Sequence, residues 1–374
     1  VNAEGRRFTT ESTQNTERRI WVRHRDDVVA LLLSRLCDLR DLRGETPFAF
    51  AKSAEADCFA ACNDVRHRRL MNPPLAPRGG RPEGRLRVMA EQSVDLAAYF
   101  SRIGYTGPAA PTLDVLRAIQ MRHVCSIPFE NLDVLLGRGI ALDLESVQAK
   151  LITNRRGGYC FEQNWLMLHV LRQIGFEAMP LSARVRLDRP RDMVPPRTHV
   201  FVKVTLSAEQ AGQNAGDWLV DVGVGSMSPT APFLMVENAE HPTPHEVRRL
   251  VREPGVPAPR WFHQARILRD GVETWIDICE FNGEEMHAID REVGNWFTST
   301  NPNSRFKQYI MASLANPDGT RFSLANGEFT HRRSSDGAVL ASETITTPER
   351  LREVLRERFG LAVEKGTMFG VAGL

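Results

Sequence analysis

Three residue types that act together in nucleophilic catalysis occur in separate segments of the chain. Cys160 follows Gly157 and Gly158, which permit a tight turn, and it begins a stretch with apolar residues at helical spacing. These residues are Phe161, Trp165, Leu168, Leu171 and Ile174. Cys160 is therefore predicted at a helix N-terminus, where the helix dipole and the nearby Arg155 and Arg156 favour a thiolate over a thiol. The alternative is that Cys160 is a small buried apolar residue.

A histidine and an aspartate lie on two predicted strands downstream. His199 lies in the alternating segment 198–206, and Asp221 lies in the apolar segment 217–224. A carboxylate inside an apolar strand needs a partner to be buried there, and a histidine on a neighbouring strand can be that partner. Cys160, His199 and Asp221 thus form a candidate triad of nucleophile, base and orienting carboxylate, although each residue alone is more often structural.

The motifs around these residues resemble those of the arylamine N-acetyltransferase family. The family's Arg-Gly-Gly-x-Cys-x-Glu-x-Asn signature is matched at 156–164. Its Thr-His strand is matched at 198–199 and its Val-Asp-x-Gly-x-Gly turn at 220–225. Its Pro-Phe-Glu-Asn segment is matched at 127–132, and its late Asn-to-Phe segment at 295–306. The resemblance extends from about Met89 to near the C-terminus.

This resemblance implies an α+β, multidomain fold. A helical bundle over 89–177 would carry the catalytic cysteine, an antiparallel β-barrel over 178–288 would carry His199 and Asp221, and an α/β lid over 289–374 would cover the cleft. The Cys-His-Asp arrangement would be similar to that of cysteine proteases. The implied reaction is ping-pong: acetyl passes from acetyl-CoA to a Cys160 thioester and then to the nitrogen of an arylamine, hydrazine or arylhydroxylamine.

The resemblance also implies roles for residues around the triad. Four of them would line the acceptor pocket: Phe129, Val224, Gly225 and Phe233. Arg156 and Glu162 are interpreted as structural residues that hold the turn against the cysteine helix. The family usually has an aromatic residue where this chain has Val224 and often a glycine where it has Ser226, so a different acceptor preference is expected.

Composition limits the other classes of function. The chain has 374 residues, of which 42% are hydrophobic and 25% charged, with a net charge of +2 that argues against nucleic acid as a partner. No apolar stretch approaches the ~20 residues that cross a membrane. The six cysteines form no Cys-x-x-Cys pair, which favours a reducing, cytoplasmic setting. Cys58, Cys62 and His67 lack a fourth ligand, so no metal site is expected. A homodimer is compatible with the sequence.

Residues 1–88 differ from the rest of the chain. They contain 17 Lys and Arg residues but 12 Asp and Glu residues. A helical stripe is predicted at 27–42, and a flexible linker rich in Pro, Gly and Arg at 72–87. Because transit peptides contain few acids, we interpret this Arg-rich extension as a weakly structured appendage, or as sequence upstream of a start at Met89.

Further elements follow from periodicity and capping. Helices are predicted at 94–103, 112–124, 144–152, 160–174 and 348–359, and strands at 178–187, 198–206, 217–224, 261–268, 273–281, 323–328 and 331–340. Other functions are compatible with the same residues. They are a Cys-His-Asp thiol hydrolase, an amide synthase of related architecture, and a non-catalytic homologue that only binds CoA.

Overall fold

The helices that precede the barrel surround the segment beginning at Cys160. The computed structural model describes residues 93–255, 259–269 and 271–371, so the predicted helix at 27–42 and the Cys58, Cys62 and His67 group lie outside the described residues. The helices of this part are α1 (Leu96–Ile103), α2 (Leu113–Val124), α3 (Leu132–Leu135), α4 (Leu144–Gln148), which continues as a π-helical turn (Ala149–Thr153), and α5 (Cys160–Ile174). A two-residue strand, β1 (Phe129–Glu130), lies between α2 and α3.

These helices begin and end at residues suited to capping. The Asp95 side chain accepts the Ala98 N–H at the start of α1, and Thr112 does the same for Val115 at the start of α2. Gly175 ends α5 in a left-handed conformation. Most of α5 is buried, and its inner face joins a core shared with α1, α2 and the barrel. A rigid, buried helix therefore carries Cys160 at its first residue.

The central sheet is antiparallel and nearly closed into a barrel. Its strands are β2 (Glu177–Val185), β3 (His199–Leu206), β4 (Gly216–Val220), β5 (Phe233–Leu234), β6 (Val247–Arg252), β7 (Trp261–Arg269) and β8 (Val272–Glu285), in the order β5-β4-β3-β2-β8-β7-β6. The segment after β5 pairs with the opposite edge strand, Glu237 with Leu250 and His241 with Arg248. The predicted antiparallel barrel is confirmed. A short helix, α6 (Ala208–Ala211), follows β3.

The C-terminal part forms a second antiparallel sheet with three helices. Its elements are α7 (Ala288–Thr300), α8 (Arg305–Gln308), β9 (Met311–Ala315), β10 (Thr320–Ala325), β11 (Glu328–Arg333), β12 (Val339–Thr344) and α9 (Pro348–Phe359). The sheet order is β1-β9-β10-β11-β12, so one strand comes from the helical part of the chain. None of the described helices has both the length and the apolar character needed to cross a bilayer.

The strand predicted over 217–224 ends at Val220, so Asp221 lies in the turn after β4 and not within a strand. Two further predicted strands are wrong in their bounds because they run through hairpin turns. The sequence predicts one strand over 323–328, but Asn326, with φ of 55°, begins a turn that separates β10 from β11. Asparagine is one of the few residues besides glycine that adopt a positive φ readily. Likewise, the strand predicted over 331–340 includes the turn at Gly337, where φ is 68°, between β11 and β12. In both places the turn residues decide the structure over the apolar alternation.

Candidate active site

Cys160 lies where the N-terminus of α5 meets the start of β3. Its side chain is 4% exposed, and its thiol donates a hydrogen bond to the carbonyl oxygen of Thr198 at 3.6 Å. Glu162 accepts the N–H of Tyr159, the residue before the helix, at 3.1 Å. This contact fixes the first turn of α5 and with it the backbone that carries the thiol.

The predicted histidine and aspartate are paired in the barrel interior. Nε2 of His199, the first residue of β3, lies 2.8 Å from Oδ2 of Asp221, and both side chains are almost fully buried. Burial by itself lowers the pKa of His199, but the Asp221 charge and hydrogen bonds to Asp221 and Cys160 outweigh it and raise that pKa. Burial raises the pKa of Asp221, but His199 outweighs it and holds that pKa below its ordinary value. The structure therefore brings all three predicted residues together.

The side chain of Asn164, on helix α5, forms hydrogen bonds that hold Asp221 in place. Its Nδ2 donates to Asp221 Oδ1 at 2.9 Å and to the Val200 carbonyl at 2.7 Å, while its Oδ1 accepts the Val222 N–H at 2.9 Å. One side chain thus joins α5, β3 and the turn after β4. Sequence reasoning assigned Asn164 no role; the available signal was its place four residues after Cys160, on the same face of the helix.

Gly223 lets the turn after β4 approach the cysteine helix. A Cβ at this position would lie 2.6 Å from Cys160 Cα and 2.7 Å from Asn164 Nδ2, and the Gly223 N–H donates to Asp221 Oδ1 at 2.9 Å. Any side chain at this position would therefore push the turn and the helix apart.

We expect Gly223→Ala to slow acylation of Cys160 by about 10²-fold, because a shift on the order of 1 Å misaligns the thiol and the imidazole. Single-turnover acylation would measure the effect. Gly137→Ala is the control: a methyl group there would have no atom within 4 Å, and although its left-handed φ of 66° makes the change cost stability, the acylation rate should not fall. Equal rates for Gly223→Ala and the parent would contradict the argument from close approach.

Arg156 and Glu162 belong to an ionic network behind the Gly-Gly turn. Arg156 Nη2 lies 2.9 Å from Glu130 and 3.1 Å from Asp133. Lys150 Nζ lies 2.7 Å from Glu162 and 2.8 Å from Asp133. The network ties the turn to α3, α4 and β1. Within the described part of the chain, the side-chain hydrogen bonds and ion pairs of Arg156 and Glu162 go to this network and to the Tyr159 backbone, and not to the His199–Asp221 pair.

The four predicted pocket residues occupy two different environments. Phe129 is half-buried on β1, and a Cβ at Gly225 would lie 3.5 Å from its ring, so these two residues are neighbours. Val224 is 7% exposed and packs in the barrel core. Phe233 is fully buried there, with its ring 4.8 Å from that of His263. Phe233 can therefore influence a bound molecule only through the residues that cover it.

Helix α7, which the sequence analysis did not identify, lies against the start of α5. Asn295 accepts a hydrogen bond from the Tyr159 hydroxyl, and a Cβ at Gly294 would lie 2.8 Å from the Phe161 ring. A cleft of about 330 Å³ lies at this contact, lined among others by Thr198, Met286 and Phe297. One residue of the cleft lining, Thr198, thus also contacts the Cys160 thiol through its carbonyl oxygen.

Cys279 brings a second thiol close to the imidazole–carboxylate pair. Its sulfur, a His199 nitrogen and an Asp221 oxygen lie within 4.8 Å of one another. Both Asp221 oxygens already accept hydrogen bonds, from His199, Asn164 and Gly223. We therefore interpret this group as hydrogen-bonded interior and not as a metal centre.

A thiol at a helix N-terminus beside a buried imidazole–carboxylate pair is typical of enzymes with a cysteine nucleophile. A family model described as N-acetyltransferase matches residues 112–368. The arylamine N-acetyltransferase of Escherichia coli (strain K12) is 38% identical over 266 residues, which cover 71% of this chain and 88% of that protein.

Solved structures give the same result. The arylamine N-acetyltransferase structure from M. tuberculosis matches with a TM-score of 0.66 at 36% identity, covering 73% of this chain and 97% of that one. The Mycobacterium marinum enzyme in complex with CoA matches with a TM-score of 0.65 at 34% identity, covering 74% and 96%. The chain belongs to the arylamine N-acetyltransferase family.

Proposed function

We propose that this protein is an acyltransferase that moves the acetyl group of acetyl-CoA to the nitrogen of arylamines, hydrazines or arylhydroxylamines. Family membership supports the reaction class. The observation that carries the assignment to residues is the placement of the Cys160 thiol beside a His199 ring whose other side is held by Asp221. In this proposal Cys160 is the nucleophile, His199 moves the proton and Asp221 orients the imidazole.

The reaction divides into two balanced steps. In the first, His199 holds the Cys160 proton, the thiolate attacks the acetyl carbonyl, and the carbon–sulfur bond to CoA breaks as the departing thiolate takes the proton. In the second, a neutral amine attacks the thioester, His199 accepts a proton from its nitrogen, and the bond to Cys160 breaks. Asp221 stays ionised throughout. The N–H of Cys160, in the first turn of α5, is a candidate donor to the oxyanion.

In this proposal, each part of the chain supplies a different component of the active site. The helical part, 89–177, supplies the nucleophile, the barrel part, 178–288, supplies His199 and Asp221, and the lid part, 289–374, covers the site. We propose the cleft beside Thr198 as the entry for the thioester donor, because Thr198 contacts the Cys160 thiol. Phe129 and Gly225 would face the acceptor.

Intact-protein mass spectrometry after mixing with acetyl-CoA tests the proposal. We expect one added acetyl group, discharged when an aromatic amine or hydrazine is added, and initial-rate patterns typical of ping-pong kinetics. Release of acetate without an acceptor would favour a thiol hydrolase. An acyl adduct discharged only within one molecule, by ring closure, would favour an amide synthase. CoA binding without an adduct would favour the non-catalytic homologue.

The setting of the protein is part of the proposal. Cys125, Cys160 and Cys279 are free thiols among the described residues, which suits a reducing cytoplasm. A homodimer is the expected alternative to a monomer, and light scattering during size-exclusion chromatography measures which form is present.

Val224→Phe should change selectivity among aromatic amines without preventing acetylation of Cys160. Val224 packs in the barrel core, so a phenyl ring is too large for that place and should project toward the neighbouring Gly225 and Phe129, where it can stack on an aromatic acceptor, an effect of about 1 kcal/mol. The measurement is the ratio of kcat/KM for two arylamines of different width. Val272→Phe is the control, because Val272 is 63% exposed at the other end of the barrel sheet. Equal ratios in Val224→Phe and the parent would count against the pocket assignment.

A further inference from the structure

Three buried charged side chains form a cluster that is separated from the imidazole–carboxylate pair by His263 and Cys279. Glu246 and Arg248 come from β6 and its preceding turn, and Arg321 comes from β10. Glu246 lies 2.7 Å from Arg248 Nη2, and its two oxygens accept from Arg321 at 2.7 and 2.8 Å. Arg248 is fully buried, and its Nε has no hydrogen-bond partner among the residues that the structure describes. Two guanidinium groups share one carboxylate, so this cluster, which we call the barrel cluster, has a net charge of +1.

The barrel cluster reaches the active site through two neutral groups. Arg248 Nη1 lies 3.3 Å from His263 Nε2, and His263 is paired across the sheet with Cys279. Cys279 in turn lies within 4.8 Å of the His199 and Asp221 ligand atoms. Burial and Arg248 hold the pKa of His263 well below its ordinary range, and burial raises the pKa of Cys279 well above its ordinary value. Both groups are therefore uncharged near neutral pH.

The remaining groups around the barrel cluster do not balance its charge. Burial, followed by Arg321, lowers the pKa of His245 to about 4, so this side chain is also neutral. Burial and Arg321 lower the pKa of Arg248, whereas Glu246 and Asp221 raise it, so Arg248 interacts with the Asp221 charge. Among the described groups that face Arg248, Asp221 is thus the second carboxylate.

The reactive state of the site has the opposite net charge. A Cys160 thiolate, a His199 imidazolium and an Asp221 carboxylate sum to −1 in a buried volume, and a buried excess charge is costly unless it is compensated. We propose that the net positive charge of the barrel cluster compensates the ionised triad, so that Arg248 is a positioning residue that sets the pH range in which Cys160 is nucleophilic. This inference rests on the proposed role of Cys160 as the nucleophile.

The pH dependence of Cys160 alkylation by iodoacetamide tests it, with the Cys160 peptide quantified by mass spectrometry. Removing a positive charge with Arg248→Met should move the midpoint of the rate–pH curve upward by about one pH unit. Glu246→Gln removes a negative charge and should move the midpoint downward. Arg248→Lys keeps the charge and should leave the midpoint near that of the parent. Opposite shifts from two variants that both weaken the same ion pair are not expected from a purely structural role.

Arg186→Met is the matched control. Arg186 is another fully buried barrel guanidinium, but its charged partner is Glu280 and its other contacts are to the loop after β2. The Arg186→Met variant should have a lower thermal unfolding temperature, but the midpoint of its alkylation rate–pH curve should stay at that of the parent. If Arg248→Met fails to fold, Arg321→Met, which removes the same charge from β10, should give the same upward shift.

The inference is overturned if the midpoints of Arg248→Met and Glu246→Gln move in the same direction. It is also overturned if the midpoint does not move in a folded variant that has lost a guanidinium of the barrel cluster. Alkylation needs no acetyl-CoA. Opposite shifts in a protein that transfers no acetyl group would therefore count against the proposed function and not against this electrostatic role.

Discussion

Cys160→Ala should form no acetyl adduct with acetyl-CoA and should lose acetyl transfer by a factor on the order of 10⁴ or more, because removal of a nucleophile leaves only binding and polar stabilisation. The parent should gain one acetyl group under the same conditions. The measurements are intact mass and the rate of arylamine acetylation.

Cys279→Ala is the matched control for this prediction. It removes another buried thiol, which lies within 4.8 Å of the same histidine and aspartate, while leaving the N-terminus of α5 intact. It should keep the adduct, with a loss of stability of about 1 kcal/mol for a small buried side chain. An adduct that survives Cys160→Ala, or that disappears only in Cys279→Ala, would assign the nucleophile to another residue.

Asp221→Asn should slow the acylation step by about 10³- to 10⁴-fold, as expected when an orienting carboxylate is replaced by its amide. Asp221 offsets the burial that otherwise lowers the pKa of His199. Without that charge the imidazolium is lost at neutral pH, and the thiolate loses its partner. Single-turnover acylation at pH 7 measures this effect.

Asp217→Asn controls for the loss of a carboxylate. Asp217 lies on β4, the strand that leads into Asp221, but its side chain is 41% exposed and contacts Lys203 and Thr205. It should change the acylation rate less than twofold, because exposed ion pairs contribute at most about 1 kcal/mol. Similar rates for Asp221→Asn and Asp217→Asn would remove Asp221 from the proposed mechanism.

Asp221 should also affect how the free energy of unfolding depends on pH in the acid range. Its pKa is lowered in the folded protein, so ionised Asp221 stabilises the fold above its unfolded pKa of about 3.9. That contribution is lost as the pH falls through the folded pKa. Asp221→Asn lacks this component. Because burial then lowers the pKa of a His199 without its charged partner, the free energy of unfolding of this variant should instead fall as the pH drops below the ordinary histidine pKa of about 6.5, which urea unfolding at several pH values measures.

Local signals predicted the helices that begin and end at strong caps. Helix α9 has Thr347 as its N-cap, Pro348 at its first turn and Gly360 at its end, and the predicted bounds are confirmed. Helix α7 lacks such caps: the side chain of its N-cap residue, His287, makes no capping hydrogen bond, and Asn301 follows its last residue in an extended conformation. Its apolar residues Ile289, Val293 and Trp296 recur at helical spacing but are 59–66% exposed, whereas Arg291 and Gly294 are buried. The apolar stripe therefore marks the outer face of this helix and not, as is usual, the face in the core.

The site could be predicted only where a residue type itself indicates chemistry. Cys160, His199 and Asp221 met that condition, and the structure brings them together. The roles of Gly223 and Arg248 depend on what lies opposite them in space, which one sequence does not reveal. Arg248 also concealed β6, because a buried arginine at an inward position breaks the alternation by which a strand is recognised.

Strand β1 determines when the site can be completed during synthesis. Phe129 pairs with Gly158 on one side and with Ser313 on the other, and Asn131 bonds to the backbone of Phe306, Tyr309 and Met311. The partners of Asn131 lie 175 to 180 residues further along the chain. A ribosome that has just made the cysteine helix must therefore add the whole barrel before the segment beside the Gly-Gly turn gains its outer partner. Contacts so distant in sequence form late, and a nascent chain that stops short of β9 carries the thiol without its completed surroundings.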